Sequence, residues 1–147
     1  MTALDDSLSL DAQGTPPTED QQEEEPMPDA PDLKRAQEFL AVDGLPWTEV
    51  AGAPGVSERV LSAAPSGDGA ELTRLARWAA GLDTSPAGVI RHEYCEEVLL
   101  LEGQLEDLTL GTTFTAGHYA CRPPGMPHGP YRTTTGCVML EIRYRPR

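Results

Sequence analysis

The chain has 147 residues, the length of one domain, and a formal net charge of −13. Ten of its 24 acidic residues lie at or before Asp32, whereas all 11 Lys and Arg residues follow it. The rest of the chain is therefore close to neutral, and it has no basic patch of the kind that binds nucleic acid.

The sequence carries no segment that would direct the chain into or across a membrane. No apolar stretch approaches the roughly 20 residues that span a bilayer. The first residues also lack the basic and apolar regions of a secretory signal. We therefore expect no membrane partner and a cytoplasmic location, in which the three irregularly spaced cysteines stay reduced.

Residues 1–31 combine proline with like charge, as in Pro16-Pro17 and in the run Glu23-Glu24-Glu25-Pro26. Such a segment cannot bury enough apolar surface to offset the entropy that it loses on ordering. The composition predicts a disordered acidic tail over 1–31, either a solubilising segment or an interaction arm. One folded domain is predicted over 32–147.

The first part of the folded domain gives mixed signals. Residues 33–40 fit a two-turn helix or an initial strand equally well. Residues 56–63 alternate between apolar and polar side chains, which predicts a strand. The segment 71–80 has apolar residues at helical spacing, but it follows a turn at 65–69, where a strand should pair back. We predict a strand there as well.

After Gly88 the pattern is that of short strands separated by turns rich in Gly and Pro. Strands are predicted at 98–101, 104–110, 112–115, 119–122 and 137–144. Many short strands at this spacing predict an all-β sandwich or barrel.

All three histidines of the chain lie between residues 92 and 128. His92 comes four residues before Glu96, and His128 ends a block that begins at Gly117. Imidazole and carboxylate groups together suit iron, zinc, manganese or nickel. The two blocks therefore predict a metal site, provided that the fold brings them together.

The block from Gly117 to His128 resembles the second sequence motif of the cupins. That motif reads Gly, five residues, Pro-x-Gly, two residues, His, three residues, Asn. Gly117, Pro123, Gly125 and His128 match the motif, and Arg132 stands in place of its final Asn.

The block around Glu96 resembles the first cupin motif less completely. Glu96 and Gly103 keep the six-residue spacing of the motif, and His92 takes the place of its second His. Ile90 stands in the place of the first His, so one of the four usual ligands is missing. The resemblance covers roughly residues 45–145. It is nearest to the cupin domains of zinc-binding anti-sigma factors and of some dioxygenases.

The resemblance implies an all-β fold, the cupin-type double-stranded β-helix or jelly-roll barrel, preceded by the disordered acidic tail. It also implies a divalent metal (iron, zinc, manganese or nickel) bound by His92, Glu96 and His128, a set that leaves coordination positions open. Three further residues are candidates to line the pocket or to replace the missing ligand: Tyr94, Glu97 and Tyr131. We interpret Arg122 and Arg143 as surface residues of strands, with binding of an anionic substrate as the alternative.

The function that the resemblance implies is that of a metal-binding cupin, a dioxygenase-like enzyme acting on a small organic substrate. The alternative is a non-catalytic metal- or ligand-binding cupin that serves as a sensor or as a regulatory, anti-sigma-like module. Such anti-sigma factors carry an N-terminal zinc domain with His and Cys, whereas the first 91 residues here contain no His. Single-domain cupins often pair, and we expect a homodimer joined at an edge of the barrel.

Overall fold

The computed structural model describes residues 32–147, so the predicted acidic tail at 1–31 lies outside the described residues. The described part is nearly all-β, as expected, and its helical elements are two 3-10 turns, Val42–Gly44 and Ser85–Ala87. The strands, in chain order, are β1 (Thr48–Glu49), β2 (Val56–Ala63), β3 (Leu72–Trp78), β4 (Cys95–Asp107), β5 (Thr112–Thr115), β6 (Tyr119–Arg122), β7 (Tyr131–Arg132) and β8 (Cys137–Tyr144).

The long strand β4 joins two antiparallel sheets. Its first part lies between β8 and β6, and its last residues pair with β5 and β7. From β8 the first sheet continues through β3 and β2 to β1. Because β4 belongs to both sheets, the inward side chains of both sheets face a common interior.

Gly103 lets β4 continue where the sequence predicted a break between two strands, 98–101 and 104–110. The glycine has a φ of 77°, in the left-handed region. A Cβ at this position would lie 2.0 Å from the carbonyl oxygen of Gly136, and the register against β8 shifts just before it. The strand therefore bends at Gly103 instead of ending, because glycine alone tolerates this backbone and this close approach.

The core lies between the two sheets, where alternate side chains point inward. On β4, Val98, Leu100 and Leu105 are buried, whereas Leu101 is 41% exposed. The central cluster consists of Ala76, Val98, Leu100, Leu105, Tyr131, Cys137 and Met139. Four other buried positions on the strands carry charged side chains: Arg74, Glu96, Asp107 and Glu141.

The structure confirms the strands that were predicted at 56–63, 112–115, 119–122 and 137–144, and it shows that 71–80 contains the strand β3. Residues 33–40 form neither a helix nor a strand. Lys34 fastens this segment to the barrel by donating a hydrogen bond of 2.8 Å to the hydroxyl of Thr73. The two-residue strands β1 and β7 were not predicted, because two residues are too few to show an alternating pattern.

Within residues 32–147, no helix is long and apolar enough to cross a membrane. The cytoplasmic location and the homodimer that the sequence suggested both stay predictions.

Candidate metal centre

His92, Glu96 and His128 come together inside the barrel. One ligand atom from each lies within 4.8 Å of the other two. The Nε2 atoms of His92 and His128 are 3.7 and 3.9 Å from Oε2 of Glu96. The three side chains are nearly buried, with exposed fractions of 10%, 5% and 6% for His92, Glu96 and His128. The fold thus joins two sequence blocks that lie more than twenty residues apart.

The two histidines are aligned by backbone pairing just before β4 and just before β7. Ile90 donates its N–H to the carbonyl of His128 at 2.8 Å, and His128 donates back to Ile90 at 3.0 Å. The N–H of Gly125 then bonds to the carbonyl of His92 at 2.7 Å. These bonds place the two imidazole rings edge to face, with centroids 4.5 Å apart.

Both imidazoles have features that suit a metal ligand. Burial lowers the pKa of His92 and of His128 below the usual value, which favours the neutral form that binds metals. Nδ1 of His128 lies 3.1 Å from the carbonyl oxygen of Met126, so a proton on Nδ1 leaves the Nε2 lone pair facing Glu96. Nδ1 of His92 is buried and has no hydrogen-bond partner among the described residues.

Glu96 is held by two arginines as well as facing the two histidines. The Arg122 guanidinium donates to Oε2 of Glu96 at 2.7 Å, and Nε of Arg143 donates to Oε1 at 3.3 Å. These charge-assisted bonds offset the cost of burying a carboxylate. Both arginine side chains are largely buried, at 12% and 18% exposure. Their interpretation as surface residues is therefore wrong.

The charge pairs continue from Glu96 along the inner face of the sheet. Arg143 donates to Glu141 at 3.2 Å, and Glu141 also accepts from Arg74 at 2.8 Å. Arg74 in turn donates to Glu58 at 2.6 Å. We call this set, together with Arg122, the ionic row. In the structure, Arg74, Glu96 and Glu141 fall on the inward positions of their alternating strands.

Two of the three additional candidate residues lie beside the cluster. The Tyr94 ring is 4.5 Å from the His92 ring, and Tyr131 is buried with its ring 6.2 Å from that of His128. Glu97 points to the opposite face of β4, where its carboxylate accepts a hydrogen bond from the exposed Tyr119 hydroxyl. The structure therefore does not bring Glu97 to the cluster of His92, Glu96 and His128.

A cavity of about 430 Å³ adjoins the cluster at His128. Its polar wall includes Arg122, Asp107, His128 and Tyr131, and its apolar walls include Val98, Leu100, Leu105 and Phe114. Exposed apolar side chains also line it: Val89, Leu110 and Met126. Few polar groups against apolar walls are typical of a small-molecule site.

An antiparallel β-fold of this topology, with a His–Glu–His cluster inside it, is that of a cupin. More particularly, the chain belongs to the ChrR cupin-like domain family, whose sequence model matches residues 35–144. No curated protein matches the chain.

Solved structures of several cupins are similar to this fold. An RmlC-like cupin from Shewanella frigidimarina is 19% identical with a TM-score of 0.57, over 76% of this chain and 94% of that chain. An acetylacetone dioxygenase from Acinetobacter johnsonii is 18% identical with a TM-score of 0.60, over 80% of each chain. The polyketide cyclase RemF from Streptomyces resistomycificus is 22% identical with a TM-score of 0.56, over 73% of this chain and 78% of that chain. At these identities the similarity shows the fold.

Proposed function

We propose that this cupin domain binds a divalent metal ion through His92, Glu96 and His128, and that the metal binds or activates a small organic molecule held in the adjoining cavity. The observation that carries the proposal is the convergence of two imidazole nitrogens and one carboxylate oxygen within 4.8 Å. The hydrogen bond from His128 to the Met126 carbonyl supports it, because it directs the free lone pair of the ring toward Glu96.

Two histidines and one carboxylate form a ligand set that leaves several coordination positions open. When bound there, iron(II) would supply oxygen chemistry, whereas zinc would supply an activated water. The dioxygenase among the similar folds makes an oxygenase the first activity to examine. Arg122 and Tyr131 would bind and orient a substrate oxygen at the polar wall of the cavity.

The shape of the cavity favours a compact, largely apolar substrate. Its volume of about 430 Å³ lies in the usual range of small-molecule sites, about 300–1,000 Å³. The walls offer hydrogen-bond donors at one side, so the substrate should carry an acceptor oxygen at one end. Small ketones, diketones and phenols meet this description.

A non-catalytic ligand sensor is the second candidate, and Glu96 itself favours it. Both carboxylate oxygens of Glu96 already accept hydrogen bonds from arginines. The arginines therefore offset the buried negative charge of Glu96 even when no metal is bound. A barrel that binds a ligand without a metal would need this compensation.

Oxygen uptake by the iron-loaded full chain, with small diketones and phenols as substrates, separates the two candidates. The enzyme proposal predicts uptake that is lost in the His92→Ala/His128→Ala double variant. Uptake should persist in Arg132→Gln, because Arg132 pairs with Glu106 at the surface and lies outside both the ligand cluster and the cavity. Binding of these compounds without turnover would instead support the sensor.

A further inference from the structure

We propose that Arg122 competes with the metal for Glu96, so that the affinity of the site is set by how readily this arginine is displaced. The inference rests on the proposed metal site and adds a regulatory residue to it. Arg122 would lower the affinity for the metal, and a ligand in the cavity that takes over its hydrogen bond would raise that affinity again.

The competition follows from a shared atom. Arg122 donates to Oε2 of Glu96 at 2.7 Å. The same oxygen faces Nε2 of His92 at 3.7 Å and Nε2 of His128 at 3.9 Å. The oxygen that completes the ligand cluster is thus the one that the guanidinium occupies.

Arg122 is not needed to orient Glu96, because Arg143 already holds the other oxygen. Nε of Arg143 lies 3.3 Å from Oε1 of Glu96, and the same guanidinium is fixed by Glu141 at 3.2 Å. It also stacks on the Tyr94 ring at 5.1 Å. The carboxylate therefore keeps its direction when Arg122 leaves.

The cavity offers the Arg122 guanidinium an alternative position when it leaves Glu96. It lines the cavity, where it donates to the Tyr131 hydroxyl at 2.9 Å, and Asp107 supplies a carboxylate to the same cavity. Among the described residues, Arg122 uses one N–H on Glu96 and one on Tyr131, of the five that an arginine carries. A cavity ligand with an acceptor oxygen could take over the donor released from Glu96, and such a ligand would favour the metal.

The positive charge of Arg122 determines whether its removal strengthens or weakens metal binding. The ionic row balances three arginines against three glutamates (Glu58, Arg74, Glu141, Arg143, Glu96 and Arg122). A divalent ion adds two positive charges next to the Arg122 guanidinium, and like charges at this range repel strongly in a buried site. Removing the Arg122 charge should therefore strengthen metal binding.

The test is the zinc affinity of the full chain, measured by competition with a chromophoric chelator. Arg122→Gln should bind zinc at least about tenfold more tightly than the wild type, because a repulsive charge is lost. Arg122→Lys keeps the charge and should stay within about threefold of the wild type. Arg132→Gln is the matched control, since Arg132 pairs with Glu106 at the surface and should leave zinc affinity unchanged.

A positioning role for Arg122 predicts the opposite change in zinc affinity. If Arg122 instead positioned the ligand Glu96, its loss would weaken zinc binding by about 10–100-fold. Equal or weaker binding by Arg122→Gln, with zinc bound by the wild type, overturns the competition alone. Two folded proteins that both fail to bind zinc overturn the metal site and the competition together.

Thermal unfolding keeps the test valid if Arg122→Gln is less stable than the wild type. A ligand raises the unfolding midpoint in proportion to the logarithm of its concentration over its dissociation constant. Zinc should therefore raise the midpoint of Arg122→Gln more than that of the wild type. A smaller rise in the variant contradicts the competition.

Discussion

Ile90 and His128 exchange two backbone hydrogen bonds, of 2.8 and 3.0 Å, and so stand directly opposite each other. Side chains of residues paired in this way point to the same face. Ile90 therefore occupies the position of a ligand at the rim of the cluster while contributing no ligand atom. The departure from the cupin motif that the sequence showed has a definite place in the structure.

Replacing Ile90 with histidine should restore a fourth ligand. Because Ile90 faces the same side as His128, we expect Ile90→His to tighten zinc binding by about tenfold or more. Isothermal titration measures this directly. Arg91→His places the same imidazole on the next residue, which is exposed and lies outside the cavity, and it should leave the affinity unchanged. Equal effects of the two substitutions would contradict the assigned geometry.

Removing one member of the ionic row should strongly destabilise the fold. Glu141 is 5% exposed and accepts hydrogen bonds from both Arg74 and Arg143. Glu141→Gln leaves two largely buried guanidinium groups without their shared carboxylate, and it should lower the free energy of unfolding by about 3–5 kcal/mol.

Denaturant unfolding of the metal-free protein measures the loss, and Glu106→Gln is its control. Glu106 pairs with Arg132, whose side chain is 48% exposed, so its loss should cost less than about 1 kcal/mol. Similar losses for the two variants would mean that the ionic row adds nothing beyond a surface pair.

The thiols should differ in reactivity. Burial raises the pKa of Cys137 to about 11, whereas Cys121 is exposed. Since the thiolate is the reactive form, alkylation at pH 8 should modify Cys121 quickly and leave Cys137 intact. The rate for Cys137 should rise only as the pH approaches 11, and mass spectrometry of labelled peptides follows both sites. Fast labelling of Cys137 in the folded protein at pH 8 would contradict its burial.

The apolar lining of the cavity should govern ligand binding independently of the metal. Leu110 lines the cavity and is 67% exposed, so Leu110→Asp should fold normally. It should weaken binding of an apolar fluorescent dye to the metal-free protein by about fivefold or more, because it places a charge among apolar side chains. Leu101→Asp changes an exposed leucine that is not part of the cavity and should have no effect.

The ligand cluster could be proposed from the sequence because the chain has few histidines that could bind a metal. Three histidines in 147 residues leave few combinations, and the spacing of Glu96 from Gly103 fixed the register of His92. The same spacing could not show that Gly103 bends one strand instead of separating two. That depends on the approach of Gly136 from a distant part of the chain.

The arginines beside the site could not be identified in the same way. Arg122 and Arg143 look like ordinary polar residues of exposed strands, since alternation alone does not show which face is buried when both faces carry polar residues. Their role depends on pairing across strands, in which Glu96 lies opposite both of them. Such registers are set by tertiary contacts and not by local pattern.

The metal content of the full chain tests the central claim most directly. The protein would be reloaded separately with iron(II), zinc, manganese or nickel, desalted and analysed by mass spectrometry of the elements. We predict about one equivalent of at least one of these metals, retained in His118→Ala and lost in the His92→Ala/His128→Ala double variant. A wild-type chain that stays empty with every metal, or a folded double variant that keeps its metal, would contradict the assignment of the site.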